Sequence, residues 1–463
     1  MKLLIEIWGN YHTWKEVTYT YNDSTITSTT TIPLLLQTIK PDKSLIIVAD
    51  TLLEYEIANN TLATELNNTT NWYRDAIKAV EHSTKQFIIN ALDNTKTKAS
   101  TDTISVLVTP AVGTFNKTKF IGNPNNFFSY LYYIMAKAAV TIAHNSNDKE
   151  LEIYVDITHG MNYMTMITYR TIKDICSILA YFFDITFVVL NSDPFVGSDN
   201  IHLNINQIEK VKIKPQFNFF RYPQFDTGQY LRVSQKIDND KKALINKKLQ
   251  NIIKEQLEGY KPFIEDYYCF ASSVYHALPL YLVYFYPDIT KLKTIIDIIV
   301  EIFFNHFMYI TDSKFIIQQQ VDFTPSFLSL LQLAIFAQCL QSKYNITRQA
   351  ECPLPLLNDI LQIYIANPTI TSRIYRELDK LQLVVHELQV IPENYVDYGL
   401  LLKKSDYIPS TNVDNRNFFA HSGFGYNNTL IKNVNKTIYI KPKEESLQEI
   451  KKVLIDNLPL GVM

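Results

Sequence analysis

The sequence predicts an α/β domain with a doubly wound, Rossmann-like sheet over residues 1–200, followed by a mostly α-helical second half. Three observations predict it. Short apolar runs alternate with helix-length segments through the first 200 residues, as in a parallel sheet buried on both faces. After about residue 235 strand signals nearly vanish while helical periodicity continues. Finally, 47% of the 463 residues are apolar, enough for the two to four cores expected at roughly 100–200 residues per domain.

The strand candidates are Leu3–Trp8, Leu45–Ala49, Ile104–Val108, Leu151–Asp156 and Ile185–Leu190, all rich in Ile, Val, Leu and aromatics. Helix-length segments lie between them at Trp72–Leu92, Asn125–Ala143 and Asn162–Ala180. In the last, Met164, Ile167, Thr171, Ile175 and Ile178 recur every three or four residues and define one face. Residues 201–235 read as a connector, with β-like pieces at Ile201–Ile205 and Val211–Ile213 and an aromatic, proline-punctuated run from Pro215 to Pro223. Helices are then expected at Lys241–Leu257, Asp266–Val283, Lys291–Met308, Ser326–Gln341, Leu354–Ile365 and Ser372–Leu388. A β-like piece, Thr437–Ile440, precedes a final helix, Lys443–Asp456.

Composition excludes several classes. Only 11 glycines rule out a collagen-like chain, and 44 basic against 46 acidic residues argue against a surface coated in nucleic acid. Glu6 interrupts the first apolar run too early for a signal peptide. Charges at Asp184, Asp297 and Glu301 break the longest apolar stretches, so no membrane span is expected and the chain reads as cytoplasmic. Cys176, Cys269, Cys339 and Cys352 are widely spaced, fitting neither a disulfide framework nor a zinc site. His12, His82, His144, His202, His276 and His306 lack metal-ligand spacing, so no metal site is expected. The basic stretch from Arg232 to Lys261 is interleaved with Asp238, Asp240, Glu255 and Glu258. It reads as a solvated face, with a phosphate-facing helix as the alternative.

Ligands of open α/β sheets bind beyond the carboxyl ends of the strands, and unusual clusters fall there. Gly9-Asn10-Tyr11-His12-Thr13-Trp14 follows the first strand, Thr109–Thr114 the third, and Thr158-His159-Gly160-Met161-Asn162 the fourth. Thr158, His159 and the Gly160 backbone offer hydrogen bonds, the helix beginning at Asn162 offers unpaired N–H groups to a phosphate, and Trp14 offers a stacking face. No G-x-G-x-x-G or G-x-x-x-x-G-K-[ST] loop is present, which disfavours a dehydrogenase or P-loop NTPase. A second cluster, Asp414–Gly423, contains Arg416, Asn417 and His421. Asp414 or Asn415 can cap a short helix there and Gly423 can end it, and Asn417 and His421, four apart, share a face. Arginine holds a phosphate in fork geometry, and a histidine exchanges protons near neutrality. Together they suit metal-free RNA cleavage by 2′-OH attack.

The combination resembles the CARF–HEPN ribonucleases that accompany type III CRISPR systems, across essentially the whole chain. Gly9-Asn10…Trp14 and Asp156-x-Thr158-His159-Gly160-x-Asn162 resemble the ligand motifs of a CARF domain, and Arg416-Asn417-x-x-x-His421 resembles the HEPN nuclease motif. The resemblance implies a CARF sensor over 1–200, a connector over 201–271 with a helix-turn-helix-like character, and a HEPN domain with an insertion over 272–463. It implies that cyclic oligoadenylate, with cyclic tetra-adenylate the expected ring, is bound by Asn10, Trp14, Thr158, His159, Gly160, Met161 and Asn162. Arg416, Asn417 and His421 are then the catalytic residues acting on single-stranded RNA, with no cofactor beyond the activator. A homodimer, or a higher oligomer of dimers, is expected because a symmetric ring fits a twofold axis. The rival reading is a DNA-binding regulator that senses the same ligand.

Overall fold

A computed structural model of the chain describes residues 1–58, 72–115, 118–145, 149–195, 201–217, 230–310, 316–387, 394–402 and 411–459. They form two compact units. The first comprises Met1–Ile213, Tyr230–Ile252 and Asp297–Thr324; the second comprises Lys214–Gln229, Ile253–Ile296 and Pro325–Met463. Part of the aromatic run, residues 218–223, lies outside the described residues.

The first unit contains β1 (Lys2–Ile7), β2 (Val17–Tyr21), β3 (Ser24–Ser28), β4 (Lys43–Ala49), β5 (Ile104–Thr109), β6 (Gly113–Phe115), β7 (Thr118–Ile121), β8 (Glu150–Asp156), β9 (Asp184–Ser192) and β10 (His202–Lys212). Eight of them make one sheet in the order β3-β2-β10-β9-β8-β1-β4-β5. Its centre, β9-β8-β1-β4-β5, is entirely parallel. Leu4, Ile5, Ile7, Ile46, Ile47 and Val155 have no exposed surface, because helices cover both faces of such a sheet. Helices Ile32–Ile39 and Trp72–Thr95 pack together, as do Pro124–Asn145 and Asn162–Leu179. From β1 the chain builds outward through β4 and β5, then returns to β8 and β9 on the other side. The strand order therefore reverses between β1 and β8, which opens a crevice at their carboxyl ends.

The five strands expected in the core are all present, and the sheet continues past them. The two β-like pieces between residues 201 and 213 are one strand, β10, bulged between Gln207 and Glu209 and antiparallel to β9. Four more strands belong to this unit: β11 (Leu231–Val233), β12 (Met308–Ile310), β13 (Ile316–Gln319) and β14 (Val321–Phe323). β13 pairs in parallel with β7. Buried Asn126 fastens this returning segment, donating to Gln319 Oε1 at 2.7 Å and Asp322 Oδ1 at 3.1 Å and accepting from the Phe323 N–H at 2.9 Å. The expected disappearance of strands after residue 235 is thus corrected. Pairings between residues as much as 197 apart leave no local periodic trace.

The second unit is built from helices Lys261–Tyr275, Pro279–Tyr284, Pro325–Tyr344, Leu354–Leu361, Pro368–Glu387, Asn415–Ala420 and Leu447–Asp456. Phe270, Tyr281, Phe285, Phe327 and Phe336, all without exposed surface, fill its core. The single helix expected over Asp266–Val283 is two. Ala277 turns left-handed at φ 54°, and Pro279, which disfavours helical backbone at Leu278, starts the second piece. A four-stranded antiparallel sheet, β15 (Cys352–Pro353), β16 (Val396–Asp397), β17 (Thr429–Val434) and β18 (Thr437–Pro442), completes the unit in the order β15-β18-β17-β16. Among the described residues no helix is long and apolar enough to cross a membrane.

A nearly dry ion pair pins this sheet. Lys443 Nζ lies 2.6 Å from Asp397 Oδ1, with the two side chains only 7% and 16% exposed. Removing one partner of such a pair strands the other charge. Asp397→Ala is expected to cost about 3 kcal/mol of stability, read as a lower midpoint in urea unfolding; an unchanged midpoint would show that Asp397 carries no structural load.

Candidate functional site

Two of the strand-end clusters converge at the reversal of the first unit's sheet. A cleft of about 650 Å³ is lined by Gly9, Asn10, Thr13, Trp14 and Lys15 from the loop after β1, and by Thr158, His159, Gly160 and Met161 from the loop after β8. Residues 191–195, at the end of β9 and just beyond it, form a further wall. The loops fit closely: the Gly9 N–H donates to His159 O at 2.9 Å, and a Cβ on Gly9 would lie 2.5 Å from Met161 Cγ. Asn10 caps the short turn Tyr11–Thr13 and donates to the Tyr55 hydroxyl at 2.6 Å. Trp14 stacks on His159 with ring centroids 4.1 Å apart and meets Trp8 edge-on at 5.4 Å.

The polar groups of the turn divide by role. Thr158 Oγ1 donates to Asp156 Oδ1 at 2.5 Å and accepts from the Ser192 N–H at 3.0 Å, so its hydroxyl ties β8 to β9 at the cleft floor. His159 Nε2 accepts from the Thr31 N–H at 3.3 Å. Burial pushes its imidazole down to about 3, so near neutrality it is an uncharged ring and acceptor rather than an acid. Asn162 opens the helix Asn162–Leu179; its side chain lies outside the described residues. The third cluster is not in the cleft lining. Ala111 N–H donates to Asp50 Oδ1 at 2.8 Å and Val112 N–H to the Tyr163 hydroxyl at 3.1 Å, which makes that loop structural.

Under the cleft lies a carboxyl pair that the sequence reading did not single out. Glu6 and Asp156 are register partners on β1 and β8, each 1% exposed. Thr31 Oγ1 donates to Asp156 Oδ2 at 2.6 Å and Trp8 Nε1 to Glu6 Oε2 at 2.8 Å, while Glu6 Oε1 has no partner. Burial first, and then the neighbouring Asp156, holds Glu6 well above the usual carboxylate range. Burial also lifts Asp50, to about 7. A carboxyl whose pKa is raised by folding is held protonated by the native state, so stability is full below pH ~4 and falls as pH rises through ~7. The thermal midpoint is expected to drop from pH 5 to pH 8, and Asp50→Asn to flatten that dependence. An unchanged slope in the variant would contradict the burial argument.

The second cluster sits in the other unit. Asp414 caps the short helix Asn415–Ala420, its Oδ1 accepting from the Asn417 N–H at 2.7 Å. Ser422 (φ 51°) and Gly423 (φ 83°) turn the chain away; a Cβ on Gly423 would press to 2.7 Å from the Tyr281 ring. Phe418, 1% exposed, anchors the helix against Tyr281 with centroids 5.1 Å apart. Arg416 and Asn417 stand exposed. His421 is half-buried, its Nδ1 3.2 Å from Oε1 of Glu377, which is itself 6% exposed. The cap and the glycine exit stand where the sequence pattern puts them. Glu377, on the helix Pro368–Glu387, was not foreseen, because nothing in its own spacing marks a residue that meets His421 only through the fold.

A nucleotide-sized cleft at the reversal of a doubly wound sheet, and an Arg/His set on a capped turn of a helical unit, together define a sensor joined to a nuclease. Residues 3–194 match the CARF domain model of the CRISPR system endoribonuclease Csx1, and residues 367–444 match its HEPN domain model. A relative from Methanocaldococcus jannaschii, "CRISPR system endoribonuclease Csx1", is 29% identical over 439 residues, 91% of this chain and 85% of that protein. The chain belongs to the Csx1 family of CARF–HEPN endoribonucleases of CRISPR systems.

Proposed function

We propose that the chain is a cyclic-oligoadenylate-activated endoribonuclease of type III CRISPR defence that cuts single-stranded RNA without a metal ion. The observation that carries this reading is the exposed Arg416–Asn417 pair beside half-buried His421, on a chain whose other unit holds a cleft walled by Trp14 and the Thr158–Met161 turn. Exposed reactive groups on a rigid turn favour cleavage over the DNA-binding alternative.

In this reading His421 takes the proton of a ribose 2′-hydroxyl. The 2′-oxygen bonds to its own phosphorus and the bond from phosphorus to the 5′-oxygen breaks. The leaving oxygen takes up a proton from solvent or from a second copy's His421, giving a 2′,3′-cyclic phosphate and a 5′-hydroxyl. Arg416 stabilises charge on the phosphoryl oxygens and Asn417 orients the phosphate. Sensing is assigned to the unit that opens at Met1 and cleavage to the unit that holds Arg416.

The activator reading rests on the cleft. It offers Trp14 for stacking on a base, Lys15 for a phosphate, and the amino end of the helix beginning at Asn162. Cyclic tetra-adenylate is the proposed ring. Its symmetry matches a homodimer in which two cleft turns meet one ligand, and such dimers can associate further. Activation is then a shift toward the dimer arrangement that the ring binds more tightly. The test of the chemistry is a substrate pair: an all-ribose oligonucleotide is cut to 2′,3′-cyclic phosphate ends and its all-deoxy counterpart is untouched. Comparable cutting of both would overturn 2′-OH attack.

A further inference from the structure

The buried carboxylate of Glu377 is out of place as a structural ion pair. Its Oε1 lies 3.0 Å from Lys380 Nζ, but Lys380 is 46% exposed and stands three residues along the same helix. Such a pair forms equally well with both groups in water and contributes little to stability. Sinking the carboxylate to 6% exposure carries a desolvation cost that this lysine does not require. Among the described residues it also meets His421, through Nδ1 at 3.2 Å. Buried Tyr398 also feels the charge: its phenol is pushed up to about 12, by burial first and then by Glu377. The carboxylate thus stands at the inner edge of the nuclease turn, where the fold holds it against one nitrogen of His421.

We propose that Glu377 is the positioning residue of the nuclease site. Its carboxylate accepts the Nδ1–H of His421, fixing the tautomer in which Nε2 is the free base presented to the 2′-hydroxyl. The inference rests on the assignment of His421 to proton transfer. A histidine without such a partner samples both tautomers and several ring orientations, and only one delivers Nε2 to the substrate. As the imidazole gains the 2′-hydroxyl proton, the adjacent carboxylate stabilises its charge. Glu377 touches no substrate, so its effect belongs in kcat and not in substrate binding.

The test compares Glu377→Ala, Glu377→Gln and His421→Ala, alone and combined, in full-length protein saturated with cyclic tetra-adenylate and a fluorescent single-stranded RNA. Glu377→Ala is expected to lower kcat about 30-fold and Glu377→Gln about 10-fold, with KM within twofold of wild type. The glutamine variant keeps the side-chain volume and guards against a folding defect, and thermal midpoints are recorded for each. In the His421→Ala background neither change lowers the residual rate further, because a residue that acts only through His421 has nothing left to act on. Wild-type kcat in the glutamine and alanine variants, with His421→Ala inactive, would overturn the Glu377 inference and leave the nuclease assignment standing. Wild-type cutting by His421→Ala would remove the assignment itself. An additional loss in the double variants would overturn the inference by making Glu377 a residue of the fold alone.

Discussion

Replacing His421 with alanine is expected to lower activated RNA cleavage by about 10²–10⁴ and to leave activator binding unchanged. The magnitude follows from chemistry. The 2′-hydroxyl is a poor nucleophile until its proton is removed, and in the turn Asp414–Gly423 the imidazole of His421 supplies the ring nitrogen to accept it. The change is local, because His421 follows the helix Asn415–Ala420 and the buried anchors of that segment are Phe418 and Phe424. The check pairs the cleavage rate with a calorimetric titration of cyclic tetra-adenylate. Cutting at the wild-type rate would remove His421 from the chemistry.

Trp14→Ala is expected to raise the concentration of cyclic tetra-adenylate needed for half-maximal cleavage by roughly 10- to 100-fold, with the rate at saturating activator recovering. Loss of a base-stacking aromatic costs about 1–3 kcal/mol per base, and the same change removes the ring that stacks on His159 at 4.1 Å. With Trp14 gone, the loop after β1 and the turn after β8 lose their aromatic contact at the cleft. A titration of RNA cutting against activator reads the shift. An unchanged half-maximal concentration would place the ring elsewhere.

The parts of this molecule that the sequence makes legible are those specified locally. The five core strands announce themselves as short runs dominated by Ile, Val, Leu and aromatics, and Asp414 and Gly423 mark a capped turn by residue type alone. β17 and β18 carried a readable signal that was only half read. Asn435 and Lys436 both adopt positive φ (49° and 68°), the tight hairpin turn that an asparagine between alternating residues suggests. β13 is different in kind. Its pairing with β7 and its hold on Asn126 depend on where the chain returns, and no periodicity within Ile316–Gln319 states that. Glu377 and the Glu6–Asp156 pair were missed for the same reason. Each acquires its role from a partner on another element, which no local spacing states.

The proposed function couples ligand occupancy in one unit to metal-free RNA cleavage by the Arg416–His421 turn in the other. The measurement that addresses it most directly is cutting of a fluorescent single-stranded RNA by purified full-length protein in EDTA, with and without cyclic tetra-adenylate. The account predicts rapid cutting only with the activator, and none by the His421→Ala variant under the same conditions. Cutting that proceeds equally without the activator, or that stops when EDTA is added, would contradict it.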